Sequence, residues 1–281
     1  MNDSASALGD YLRARRELVQ PEDVGLARDL HRRVRGLRRE EVAAVATISS
    51  DYYLRLEQGR DHQPSDQVLL ALARALCLDS EATAYLFRLA HPGVSQRRAS
   101  MTPALDEDLL RLLEQFSGTP ALVIDRNHDV AAANDLAGRL CGRYVHEGSS
   151  ILNLVFSRLL RATAPDWPEL ARGTVASFRF HSDPRDARRR DLVRSLSRRD
   201  PEFRRLWARH DASASYSGRA LLLIDGVGPV RLRFQNLAIP GRPDHALVTF
   251  FGEAGTPGPA ALAHLAAQST ANGTAARLAR V

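Results

Sequence analysis

The chain has 281 residues, 44% of them hydrophobic, and a formal charge of +6; it is long enough for two domains and too apolar for a disordered protein. No apolar run approaches the length of a membrane span, and the polar N-terminus lacks the apolar stretch of a signal peptide, so a cytoplasmic protein without membrane insertion is expected. Cys77 and Cys141 have no partner at metal-ligand spacing and read as reduced thiols, which argues against a disulfide scaffold and against a metal site.

The first predicted helix lies around Leu8–Leu18, with apolar residues at helical spacing and arginines opposite them. A basic loop follows, carrying Arg28, Arg32, Arg33, Arg35, Arg38 and Arg39 against Asp29 alone. The first hundred residues are nonetheless close to neutral, so it is where the charge sits, not its total, that points to DNA. Two helices, Arg39–Ala46 and Ser50–Gln58, then flank a turn at Ala46-Thr47-Ile48. Val42, Ala43 and Ala46 share a face of the first helix, Tyr53 and Leu56 share a face of the second, and Ile48 fills the corner. Ser49 is placed to cap the second helix and Gly59 to end it. Two more helices, Asp66–Leu76 and Ser80–Ala90, complete a five-helix, all-α domain over residues 8–91.

On these residues the stretch 8–90 resembles the Cro/phage-repressor (xenobiotic-response-element) type of helix-turn-helix DNA-binding domain. The resemblance is carried by Gly36-Leu37-Arg38-Arg39-Glu40-Glu41-Val42 and by Asp51-Tyr52-Tyr53-Leu54-Arg55-Leu56-Glu57-Gln58-Gly59-Arg60. Thr47 departs from it, standing where the family usually has glycine. The resemblance implies that the second motif helix enters the major groove of double-stranded DNA. Ser50, Asp51 and Arg55 are the candidates for reading bases, with Asp51 alternatively orienting Arg55 one helical turn on. Tyr52 is a candidate for a thymine methyl or a phosphate, Arg38, Arg39, Ser49 and Arg60 for phosphates, and Gln58 completes the set. A homodimer on an inverted-repeat operator is expected, because one helix reads only a few base pairs.

A breaker-rich linker, 92–103, leads to a mixed region, 104–254. A helix over 104–116 precedes a hairpin, Ala121–Ile124 with Val130–Ala133. Helices are expected at Asn134–Cys141, Ile151–Leu160, Trp167–Phe180, Asp186–Arg198 and Pro201–His210. Strands Arg219–Ile224, Val230–Leu237 and Ala246–Phe251 follow, and 255–281 is expected to be a flexible tail, helical at most over 259–267. The order implies one five-stranded antiparallel sheet covered by helices on one face, an α+β domain that resembles a PAS-type sensor. More specifically, 105–253 resembles the ligand-binding domain of MmyB-like regulators, through Pro120-Ala-Leu-Val-Ile-Asp, Asp129-Val-Ala-Ala-Ala-Asn134, Asp166-Trp167, Arg199 to Asp211 and Leu237-Ala-Ile-Pro-Gly241. That resemblance implies a small apolar, fatty-acid-like effector. Asn134, Trp167, Phe178, Phe203, Trp207 and His210 are the candidates for holding it, although aromatic residues at helical spacing and an asparagine at a helix start are also ordinary core and cap residues.

No enzyme signature is present: no Gly-x-Ser-x-Gly, no phosphate-binding Gly-Lys-Ser/Thr and no paired metal spacing, and no cofactor is expected. The expectation is a bacterial transcription regulator. Two other readings stay open, a second domain that serves as a ligand-free dimerisation or protein-interaction platform, and an enzyme fused to a DNA-binding domain.

Overall fold

The computed structural model describes residues 3–27, 32, 34–60, 63–91, 105–164, 166–214 and 217–278, with backbone alone for 3–6, 143 and 269–278. It divides into two compact units, Met1–Ser100 with Val175–Ala214, and Met101–Thr174 with Ser215–Val281. The linker expected at 92–103, and Arg28 and Arg33 of the basic loop, lie outside the described residues.

In the first unit, α1 (Asp3–Leu18), α2 (Arg39–Val45), α3 (Ser50–Glu57), α4 (Asp66–Ala75) and α5 (Ser80–Ala90) surround a core of Leu8, Tyr11, Leu12, Val42, Ala43, Tyr53, Leu56, Leu69, Leu72 and Leu86. These are the apolar faces that helical spacing marks out. Ser65 and Asp79 cap α4 and α5 by accepting from the backbone N–H groups of Val68 and Ala82. The Tyr11 hydroxyl donates to the Ala82 carbonyl at 3.2 Å and its ring meets Tyr85 edge-on, locking α1 to α5.

The second unit holds α6 (Glu107–Gln115), β1 (Ala121–Asp125), β2 (Val130–Ala133), α7 (Asp135–Cys141), α8 (Ile151–Val155), α9 (Arg158–Thr163), the start of α10 (Trp167–His181), β3 (Ser217–Ile224), β4 (Gly228–Ile239), β5 (Arg242–Phe251) and α13 (Gly258–Leu278). The five strands form one antiparallel sheet in the order β2-β1-β5-β4-β3. Register places Ala220, Leu222, Val230, Leu232, Val248, Phe250 and Leu122 on one face, all buried, while Leu223, Leu237 and Phe251 are exposed on the other. The expected α+β architecture is present.

Three details differ from the sequence reading. The single helix expected at 151–160 is two, because Ser157 leaves the first and caps the second by accepting from Leu160 N–H. The tail expected to be loose is helical from Gly258 to Leu278, and Ala261, Leu262 and Leu265 are buried, a helical stripe that fastens it. The segment 175–214, assigned by sequence to the sheet domain, clusters in space with the first unit. It comprises the end of α10, α11 (Ala187–Arg199) and α12 (Pro201–Ala208). Local contacts explain this: Ala212 is buried in the five-helix core, Arg15 pairs with Asp211 at 2.8 Å, and Glu81 accepts from Ser213 Oγ and from the Ala214 N–H.

Candidate nucleic-acid interface

The turn between α2 and α3 takes the shape that its sequence strains to make. Thr47 has φ +56°, the left-handed region that a β-branched residue avoids. Ser49 then caps α3, its hydroxyl accepting from the Tyr52 N–H at 3.1 Å. At the other end Gly59, φ +65°, donates its N–H to Leu56, and Arg60 donates to Arg55, closing a Schellman motif. Both ends of α3 are therefore fixed by its own chain.

What α3 leaves outward is Ser50, Asp51, Arg55 and Gln58, all exposed, with Tyr52 half-buried. Asp51 and Arg55 form an ion pair across one helical turn, and the Arg55 guanidinium sits 5.7 Å from the Tyr52 ring centroid. The structure thus brings together the three residue types proposed to meet bases, on one surface. Ser49, Arg39 and Arg60 are exposed near the two ends of α2 and α3, and Arg38, half-buried, is the N-cap of α2. The basic loop contributes less free charge than its composition implies. Arg32 is tied to both oxygens of Glu41 and to the Gly36 carbonyl, and Glu41 also accepts from the Arg38 N–H. The Arg32 hydrogen bond is the main reason the Glu41 carboxyl lies below its ordinary pKa.

The residue that sequence reasoning missed is Glu57. It lies one position before the cap of α3, yet it is only 2% exposed. Its two oxygens accept from Arg16 Nε at 2.6 Å and from Arg39 Nε at 2.7 Å. Burial works to raise this carboxyl, but the hydrogen bonds from Arg16 and Arg39 outweigh it and hold the group below its usual value. Arg16, 8% exposed, also donates to the Leu37 carbonyl at 2.9 Å, so one buried guanidinium joins α1, the loop residue before the N-cap of α2 and the end of α3. Gly9 permits this: a Cβ there would stand 2.4 Å from the Glu57 carbonyl oxygen.

The effector candidates separate into two groups. Asn134 and Trp167 belong to the sheet unit, and their polar atoms serve the backbone. Asn134 caps α7, accepts from Ala121 N–H and donates to the Phe116 and Thr119 carbonyls, using its whole amide. The Trp167 indole donates to the Val155 carbonyl at 2.7 Å, and its ring packs edge-on against Phe156. Phe178, Phe203, Trp207 and His210 are brought together in the other unit: Trp207 stacks on Phe203 with centroids 5.9 Å apart, Phe178 tilts against it at 5.8 Å, and the Arg179 guanidinium lies 3.7 Å from its ring centroid. His210 has φ +53° and its Nδ1 lies 3.3 Å from Arg179 Nη1. Burial, reinforced by the Arg179 charge, pushes His210 down to about 3, so the ring is neutral near pH 7 and accepts from Arg179.

A helix-turn-helix domain family matches residues 7–86, and the family described as the MmyB-like transcription regulator ligand binding domain matches residues 105–265. The chain belongs to the MmyB-like transcription regulators. No curated protein matches it. The MmyB-like regulator is thus a DNA-binding transcription regulator, with its helix-turn-helix at the N-terminal end and a ligand-binding domain after it. No helix among its described residues is long and apolar enough to cross a membrane. The matched ligand-binding domain is continuous in sequence, whereas the compact units are not: residues 175–214 of it pack with the helix-turn-helix helices.

Proposed function

We propose that this regulator reads a specific DNA sequence with α3 laid in the major groove, as a homodimer on an inverted repeat. The observation that carries the reading is the exposed Ser50, Asp51 and Arg55 surface on a helix whose other side is clamped through Glu57. Arg55 makes the bidentate contact to a guanine edge, Ser50 and Asp51 read neighbouring bases, and Tyr52 packs on a thymine methyl or a phosphate. Arg38, Arg39, Ser49, Gln58 and Arg60 hold the flanking backbone. Half-sites one helical turn apart lie about 34 Å from each other, which a dimer must match.

The test is selection of bound duplexes from a random pool, followed by anisotropy titrations of the best site and its single-base variants. Arg55→Ala is expected to erase about 1–3 kcal/mol of preference at one position of each half-site. Uniform weakening of every sequence would make Arg55 a phosphate contact, and absence of any selected motif would remove the reading altogether.

A small apolar, fatty-acid-like molecule in the ligand-binding domain would modulate DNA affinity in a cytoplasmic protein; the family matching residues 105–265 supports a ligand there, without its chemical class. Such control requires that the ligand bind one of two states more tightly. Native mass spectrometry of the purified chain, with organic extraction, checks both dimer and ligand. The exposed Leu223, Leu237 and Phe251 on one sheet face favour a second reading, an interaction platform without ligand. A bare dimer in that experiment would move it to the front.

A further inference from the structure

Three arginines are packed into the first unit without the partners that buried charge requires. Arg179 on α10 is 3% exposed and Arg189 on α11 is 9% exposed, while Arg88 on α5 is half-buried. Aromatic rings take their faces. Arg179 and Arg189 lie 3.7 and 5.2 Å from the Trp207 centroid, and Arg88 lies 4.5 Å from Phe180 and 5.1 Å from Tyr85. Stacking of this kind contributes about 0.5–2 kcal/mol per pair, but it occupies only the faces of a planar guanidinium.

The N–H groups point out along the edges, and there the acceptors run short. Arg179 uses its two terminal nitrogens on His210 Nδ1 and on the Trp207 carbonyl, leaving Nε buried with no acceptor. Arg189 Nε and Arg88 Nη2 are buried and unpartnered in the same way. None of the three makes an ion pair among the described residues. The carboxylates nearby are turned elsewhere: Asp183 accepts from the Arg185 N–H, Asp186 caps α11, and Asp211 holds Arg15 and Arg209. Burial pushes Arg179 down to about 10 and lowers Arg88 and Arg189 as well, with the arginines repelling one another. His210, neutral here, supplies no charge.

We infer that the Arg88, Arg179 and Arg189 edges form a binding site for an oxyanion, a carboxylate or phosphoryl group, in the unit that carries the recognition helix. Such a group offers two or more acceptor oxygens and a negative charge, which satisfies orphaned N–H edges from several guanidiniums at once. A neutral ligand would supply acceptors but leave the charge unbalanced. The regulatory meaning of the site rests on the effector-responsive reading above; the binding does not, and it is measured without DNA.

The experiment is calorimetric titration of the full chain with inorganic phosphate and, separately, with acetate, alongside melting curves in which sodium chloride matches the ionic strength. Saturable binding with a rise in Tm beyond the chloride control is expected. Response to phosphate alone assigns a phosphoryl ligand, and response to both assigns the site to carboxylates as well. Arg88→Gln and Arg189→Gln should each weaken binding about tenfold or more, the loss of one charge-assisted hydrogen bond. If neither anion exceeds the chloride control, the site does not exist, a result that needs no variant. If wild type binds but both variants bind equally well, the anion sits elsewhere and the inference fails.

Discussion

Glu57→Ala is the substitution that tests the clamp behind the recognition helix. Wild-type Glu57 balances Arg16, whose side chain is almost wholly out of water, and Arg39, whose side chain is 47% exposed. Removing the carboxylate strands the two cations unequally. Arg16 keeps its bond to the Leu37 carbonyl but loses its counter-charge in a buried place, and breaking a buried pair from one side costs about 3–5 kcal/mol. Arg39 swings into solvent, a loss below about 1 kcal/mol. Glu57→Ala should therefore cost about 3–5 kcal/mol and Arg39→Ala under about 1 kcal/mol. Because the chain has two compact units, one global transition is not the right measure. Hydrogen exchange of the α2 and α3 amides reads the local opening free energy instead.

The same reasoning makes Arg16→Met with Glu57→Leu far milder than Glu57→Ala, since no orphaned charge is left. It also fixes a pH window. The folded Glu57 carboxyl lies below its ordinary value of 4.5, so its contribution is complete above that pH and is lost as the pH falls through the folded value. If Glu57→Ala and Arg39→Ala lowered α3 protection by the same small amount, the pair would be behaving as a solvated surface pair and the clamp argument would be refuted.

His210 carries a second pH dependence. Its folded value of about 3 lies below the ordinary 6.5, so the unfolded chain takes up the proton first and stability falls as the pH drops below 6.5. At about 1.4 kcal/mol per pH unit the loss between pH 6.5 and 5 is about 2 kcal/mol, and His210→Asn, which tolerates the positive φ, should flatten the pH dependence of amide protection in α12 over that range. Thr47→Gly relieves about 1–2 kcal/mol of strain against about 0.5–1 kcal/mol of added chain entropy, so hydrogen exchange of the α2 and α3 amides should show a small gain in protection, and a loss would mean the threonine makes a compensating contact. Gly9→Ala places a methyl 2.4 Å from the Glu57 carbonyl oxygen and must push α1 off α3, at about 1–3 kcal/mol, visible as faster exchange of the α3 amides.

The helix-turn-helix was legible because its signals are local. Apolar spacing, the Ser49 cap, the Gly59 stop and the awkward Thr47 all act within one or two turns of chain, and each stands where the sequence placed it. Glu57 was not legible. It sits between an exposed Arg55 and an exposed Gln58, reads as one more solvated helix charge, and acquires its meaning from Arg16, which is 41 residues away. The spatial grouping of 175–214 with the first unit was not legible for the same reason: its helices were recognised, but their partners, Arg15, Glu81 and the five-helix core, are remote in sequence. Asn134 is a mixed case: the cap of α7 was legible locally, while its bonds to Ala121, Phe116 and Thr119 come from residues 13 to 18 positions away. The orphaned arginine edges had no local signature, because what distinguishes them from a solvated basic helix is burial.

In the proposed reading, with α3 in the major groove, the Asp51–Arg55 pair bears on how Arg55 meets a base. In the free protein the pair holds Arg55 along the helix, across one turn. Both side chains are well exposed, so the pair is worth only about 0.3–0.5 kcal/mol. A bidentate guanine contact discriminates by about 1–3 kcal/mol, enough to draw the guanidinium away from Asp51 wherever the base is right. Where the base is wrong, the pair persists, Asp51 stays neutralised by Arg55, and the guanidinium makes no base contact. Breaking the pair therefore takes about 0.3–0.5 kcal/mol from the gain at the right base and leaves most of the discrimination, about 1–3 kcal/mol, in place. The rigid backing from Glu57 and the two helix caps makes this discrimination available, since it confines the choice to one side chain on a fixed helix.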